Sequence, residues 1–418
     1  MSLTTNLLLH NNNISFHTPG HSNISLPIDL NKFDTTELSY SDNLLTPIGD
    51  IKILEQQLAS VYKTEACFIS TNGATNCIYQ AFYALKSLGP FLLVGQSHSS
   101  CYNACRTLQI KAYHIDKLEI DKPINSDIKV IVITSPNYFG HTKNLQKISE
   151  FCTQNNLILV VDASHGSHFQ FSDDLPVSAT IYADLVIHSL HKTTPVATGG
   201  SVLCVKKPYV NNCVFARKML HSSSPSYPII ISIENMLGSY VKNANTNYHN
   251  IKLAIEKFSA ELSDNYKIEK NDDFSRLVIT SNFDGHKLID ELCKNYQIDL
   301  EMAFKNKIVA IVTPYNYNYL DTLSIALNSI KTLDSYVDND YPCTYHKEAT
   351  LLEFGGEVEF LPVDVCVGRR AFSEIGFYPP GVPLLYSHDI LDADKIMLIK
   401  KNQEFTFGLV NNTIPVVK

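Results

Sequence analysis

The feature that most constrains this chain is a series of short apolar runs set between segments of helical spacing. The runs fall at 91–94, 130–134, 157–162, 185–188 and 201–205, with a further one at 66–69. Each is the length of a buried strand, and the segments 100–109 and 143–155 between them read as helices. This alternation predicts an α/β fold with a mostly parallel sheet covered by helices on both faces. Parallel strands deliver the residues that follow them to one edge of the sheet, where open α/β folds carry their sites.

Two of these runs end in reactive residues. The run at 157–162 delivers Asp162 into Ala163-Ser164-His165-Gly166-Ser167-His168-Phe169. The run at 185–188 delivers Ser189-Leu190-His191-Lys192. A lysine amine can condense with an aldehyde, and a carboxylate can keep a heterocyclic nitrogen protonated. Pyridoxal phosphate needs both, because its ring acts as an electron sink.

A third element suits a phosphate. Ser70-Thr71-Asn72-Gly73-Ala74-Thr75-Asn76 joins a strand to a helix read over 77–85, and a helix start offers free amides and a positive dipole end. The same residues would also make an ordinary capped turn. His98 follows the run ending at Val94, where an imidazole could stack on a ring or simply cap a helix. His165, His168, His188 and His191 form a dense group in sequence, and with Asp162 they admit a metal-site reading as well. The cofactor reading uses the same residues and also accounts for Lys192 and the Gly73 loop, so no metal is expected.

Bulk properties narrow the class. At 418 residues the chain is too long for one small core, and 44% hydrophobic with 18% charged residues is an ordinary folded composition. We read an arm over 1–46, a large cofactor-binding domain over 47–263 and a smaller α+β domain over 264–418. A net charge of -8 argues against nucleic-acid binding. Ten cysteines without a Cys-x-x-Cys pair suit a reducing cytoplasm. The first residues lack the pattern of a secretory signal, and no apolar stretch approaches the ~20 residues of a membrane helix.

Taken in order, the motifs resemble the short form of the ornithine/lysine/arginine decarboxylases, which have the aspartate-aminotransferase fold (fold type I). They are Phe16-His17-Thr18-Pro19-Gly20-His21, Asp34-Thr35-Thr36-Glu37-Leu38, Asp42-Asn43-Leu44 with Pro47-Ile48-Gly49, and Asn72-Gly73-Ala74-Thr75. Next come His98, Ser135-Pro136-Asn137-Tyr138-Phe139-Gly140, 162–169, 189–193, 223–228 and 298–303. Tyr378-Pro379-Pro380-Gly381-Val382-Pro383-Leu384-Leu385 closes the series. The resemblance implies a seven-stranded large-domain sheet, bound pyridoxal 5'-phosphate and decarboxylation of a basic amino acid to a polyamine precursor. The alternative is an aminotransferase or lyase on the same scaffold.

It also implies roles. Lys192 would hold the cofactor, Asp162 would pair with its ring nitrogen beside Ser164 and His165, and His98 would stack on the ring. Gly73, Ala74, Thr75, Ser189 and His191 would hold the phosphate, and Lys192 or His191 would donate a proton. Ser223 and Ser224 would approach the phosphate of a neighbouring subunit, which makes the protein a homodimer or larger even assembly with shared sites. Asp389, Glu353 and Glu357 are the acids we expect to meet a cationic substrate terminus. The chain departs from the family pattern at Ala163 and Ser164, at Ser99, at Gly199-Gly200 and at Ser387-His388-Asp389, all beside cofactor positions rather than at them.

Overall fold

The computed structural model describes residues 10, 12–24, 26, 28–335, 346–377 and 382–418. The Tyr378-Pro379-Pro380-Gly381 part of the last motif lies outside them.

After the short strand β1 (Ile14–Phe16), the chain builds its main sheet from β2 (Ala66–Ser70), β3 (Phe91–Val94), β4 (Ala112–Ile115), β5 (Val130–Thr134), β6 (Ile158–Asp162), β7 (Leu185–His188) and β8 (Ser201–Val205). Six of these match the apolar runs expected from sequence, and β4 is a strand the sequence does not announce. An eighth, Thr350–Leu352, joins antiparallel to β4 at one edge. The order is Thr350–Leu352, β4, β3, β5, β6, β7, β8, β2. β4, β3, β5, β6 and β7 pair in parallel, and β8 runs antiparallel to both neighbours.

Strand periodicity explains why the runs are apolar throughout. Leu92, Ile131, Leu159 and Val161 pack into one hydrophobic cluster, while their alternates Leu93, Val130, Val132 and Val160 pack into another. A strand buried on both faces has no polar side to show. Four helices that flank these strands are α1 (Asp50–Tyr62), α2 (Gly73–Leu85), α3 (Ser99–Leu108) and α4 (Leu145–Gln154).

The N-terminal segment is anchored rather than loose. β1 pairs in parallel with Ile298–Leu300, and Phe16 and Leu44 are fully buried. The Asp42 carboxylate accepts from the amides of Ile48, Gly49 and Ile51 at 2.9–3.0 Å, so it caps α1 from a distance. A long helical stretch follows the main sheet: Tyr227–Asn235, a π-helical segment Met236–Tyr240, then Val241–Glu261. Beyond it, Tyr266–Ile268, Arg276–Ser281, Met302–Phe304 and Lys307–Ile311 form a four-stranded antiparallel sheet. Residues 358–417 add two small sheets around a separate cluster that includes Ile375, Leu385 and Ile399.

Candidate active site

Asp162 is the last residue of β6. Lys192 sits on a single helical turn, Leu190–Thr193, directly after β7. β6 and β7 are parallel neighbours, with Asp162 beside Ile187, so both residues emerge at the same sheet edge. They line one cavity of about 280 Å³, with His98 and the Gly73-Ala74-Thr75 turn on its wall. That volume is near the lower end for small-molecule sites, about 300 Å³.

The wall is chemically specific. Ser164 donates to Asp162 Oδ1 from its amide at 3.1 Å and from its hydroxyl at 2.5 Å, which leaves Oδ2 for a ligand. Lys192 Nζ lies 3.0 Å from His165 Nε2, and the Arg276 NH2 group lies 2.8 Å from His165 Nδ1. Burial pulls the Lys192 amine below its ordinary value; Asp162 and Glu301 oppose that, and Arg276 adds to it. Burial also holds His165 well below the usual imidazole range, reinforced by Lys192 and Arg276.

Also on the cavity wall, α2 begins with no side-chain cap from Asn72. The Gly73 amide donates to Gly199 O at 2.8 Å, and the next amides of the helix start have no intrahelical partner by construction. Gly73 has φ +75°, which a side chain would resist, although a Cβ there would meet nothing. Ala74, Thr75 and Ser189 line the cavity beside it. His98 does two things at once. Its Nδ1 accepts from the Ser100 amide at 3.2 Å as the cap of α3, and the residue borders the cavity. His191 Nδ1 donates to Gly200 O at 3.2 Å, fixing its ring.

The donor set fits pyridoxal phosphate. The hydroxyls of Ser97 and Thr134 are buried, lack a hydrogen-bond partner and belong to residues on the cavity wall. An unpaired buried hydroxyl is costly, so these two are groups that a polar ligand would satisfy. A capless helix start, a lysine amine and a half-satisfied carboxylate complete a set suited to a phosphate, an aldehyde and a ring nitrogen.

The N-terminal arm closes on this site. The Gly20 amide donates to His191 O at 2.8 Å, and the Thr18 amide donates to Glu301 Oε2 at 2.8 Å. A Cβ at Gly20 would stand 2.8 Å from the Thr193 carbonyl carbon and 2.9 Å from the Thr194 nitrogen. The Gly20→Ala protein should therefore lose about 1–3 kcal/mol of stability, as overpacked sites do. Thermal unfolding with and without added cofactor measures this, and a fall in cofactor retention should accompany it.

Other expected residues lie elsewhere. Ser223 and Ser224 are exposed and do not line the cavity of their own chain. Neither do the three acids. Asp389 Oδ2 accepts from the Tyr386 amide at 2.8 Å, Glu353 lies 3.9 Å from His388, and Glu357 pairs with Lys418 at 2.9 Å. The histidine group disperses: His168 faces Asp273 and Ser275, and His188 stacks on Tyr62 with ring centroids 4.7 Å apart. Among the described residues, the grouped potential metal ligands are instead His10, Cys293 and Asp299, away from the cavity.

Three residues at this site escaped the sequence reading. Arg276 was visible only as the head of a strand, Tyr138 and Glu301 only as parts of motifs. Tyr138 donates to Glu301 Oε1 at 3.1 Å, and its ring centroid lies 4.6 Å from that of His165. A buried charge at the start of an apolar strand was the one available signal for Arg276.

The fold is that of the fold type I enzymes. Residues 108–287, which carry both Asp162 and Lys192, match the model of the family described as Orn/Lys/Arg decarboxylase, major domain. This match shows a similarity to that family over less than half of the chain. It is 26% identical over 463 residues to an arginine decarboxylase of Bacillus anthracis, covering 96% of this chain and 93% of that one. It is 25% identical over 444 residues to the uncharacterized protein YaaO of Bacillus subtilis (strain 168), covering 93% and 91%. Among solved structures, lysine decarboxylase A from Pseudomonas aeruginosa superposes with a TM-score of 0.73 at 13% identity, over 92% of this chain and 74% of that one.

Proposed function

We propose that this protein decarboxylates a basic amino acid, arginine, lysine or ornithine, to a polyamine precursor. The observation that carries the reading is the shared cavity of Asp162 and Lys192. The names of the relatives support the choice of a basic substrate.

Bound pyridoxal phosphate supplies the sink for the electron pair left when carbon dioxide departs. The residues do the rest. Lys192 would hold the cofactor, Asp162, steadied by Ser164, would pair with its ring nitrogen, and His98 would lie against the ring. The Gly73-Ala74-Thr75 amides, with Ser189 and His191, would hold the phosphate. Lys192 Nζ returns a proton to the substrate carbon, with His191 the other candidate donor. Orienting the bound substrate for loss of its carboxylate would fall to the cavity walls.

We propose a homodimer. Ser223 and Ser224 reach no cavity of their own chain, and Ile48 is 93% exposed beside other uncovered apolar residues such as Tyr40 and Ile53. Asp389, Glu353 and Glu357 enter the proposal through that second copy, as acids presented to the other subunit's substrate. We assign the protein to a reducing cytoplasm, because all nine described cysteines are free and eight are buried. No helix of the described residues is long and apolar enough to cross a membrane.

The test is carbon dioxide release from arginine, lysine, ornithine and acidic amino acids, with product identification. One basic amino acid should yield its amine. Release from none of them would overturn the assignment, and accumulation of pyridoxamine phosphate would point to amino transfer instead.

A further inference from the structure

We propose that Arg276 is a positioning residue that acts through His165. It fixes the Nε2–H tautomer of that ring and thereby holds Lys192 as a free amine before any cofactor arrives. The proposal rests on the assignment of Lys192 above but concerns the cofactor-free protein.

The argument is one of donors and acceptors. A guanidinium is always protonated and only donates. Arg276 is 1% exposed, and its NH2 group lies 2.8 Å from His165 Nδ1. That nitrogen must therefore accept. A neutral imidazole carries one hydrogen, so it sits on Nε2. An imidazolium would set an N–H against the guanidinium and is ruled out by the same geometry. Nε2 lies 3.0 Å from Lys192 Nζ, and it now approaches as a donor. An ammonium has no lone pair to accept with. The contact is a hydrogen bond only when Lys192 is the neutral amine, which is the form that attacks a carbonyl.

The packing keeps this chain of contacts in register. The Tyr138 ring lies beside His165, and the Arg276 guanidinium stands 6.0 Å over the same ring. Other groups act on Lys192 too. Asp162 at the end of β6 and Glu301 favour its charged form; Arg276 disfavours it. His98 and His191 stand around the same cavity, with His21 of the arm next to His191 and His17 next to His21. Two carboxylates would ordinarily protonate a nearby lysine. The His165 bond supplies a directed reason for it to remain an amine, independent of net charge.

The test uses protein stripped of cofactor. Trace labelling with isotopic acetic anhydride, followed across pH and read by mass spectrometry on the peptide containing residue 192, gives the midpoint for the free amine. Arg276→Gln and His165→Phe should each move that midpoint upward by on the order of one pH unit. The double variant should move it no further than the larger single shift, and Arg276→Lys should restore most of it. His165→Phe is decisive, since it leaves the Arg276 charge in place. An unmoved midpoint in that variant, or shifts that add in the double, would mean that Arg276 acts by charge alone and would overturn the relay. Should the variants fail to fold, nitrogen NMR of the wild-type ring of His165, assigned through its proximity to Tyr138, still decides. A protonated Nε2 with a bare Nδ1 at neutral pH is expected; an Nδ1–H ring or an imidazolium sinks the proposal. Because no turnover is read, failure here leaves the decarboxylase test untouched, and the reverse also holds.

Discussion

The Lys192→Ala protein is expected to be colourless at the visible band of bound pyridoxal phosphate and to retain no cofactor covalently after borohydride reduction. Turnover should fall by at least ~10³-fold, since the variant loses both the covalent anchor and a candidate proton donor, and proton transfer alone is worth about 10²–10⁴-fold. The fold should survive. Lys192 is only half-buried, and its recorded side-chain hydrogen bond is to His165. Folding can be checked by thermal unfolding. Normal turnover by the alanine variant would remove the centre of the functional reading.

Asp162→Asn is the second large effect. The substitution keeps size and removes charge. A carboxylate beside a titrating nitrogen raises that nitrogen's pKa by about 1–3 units, so the protonated ring should become ~10- to 10³-fold scarcer at pH values above its new midpoint. The rate of carbon dioxide release should drop in step, while cofactor is still held through Lys192. Absorbance titration of the bound cofactor reads the shift, and stopped-flow assays read the rate. Because Ser164 bonds Oδ1, Ser164→Ala should produce a smaller change in the same direction. An Asp162→Asn protein with an unaltered rate would show that the carboxylate faces something other than the ring nitrogen.

The parts of this molecule that were readable from sequence share a physical cause. β3, β5, β6, β7 and β8 are buried on both faces, so their apolar runs are unbroken and end cleanly at polar residues. β4 was missed because Ala112-Tyr113-His114-Ile115 is half polar and alternates between buried and partly buried. The helix before 240 was missed for a different reason. Pro228 occupies its first turn and Gly238 falls in the π-helical segment that carries the axis onward, two residue types that mask a helix in a sequence. Strands beyond 350, such as Val358–Pro362, are short, largely exposed and paired with Thr413–Val417, far along the chain. Local pattern holds little trace of such pairings.

The site divides along the same line. Asp162, Lys192 and the Gly73 turn were visible because each follows a strand that announces itself. Arg276, Tyr138 and Glu301 come from other segments and meet His165 and the arm only when the four-stranded sheet docks. No spacing in the sequence predicts that meeting.

The strand Thr350–Leu352, laid against β4, has a consequence for synthesis. During translation β4 emerges with one flank bare and waits for more than two hundred further residues before its neighbour exists. Over that interval the nascent chain presents a ready template for intermolecular pairing. Truncation before residue 350 should therefore yield a protein that precipitates rather than a smaller soluble unit.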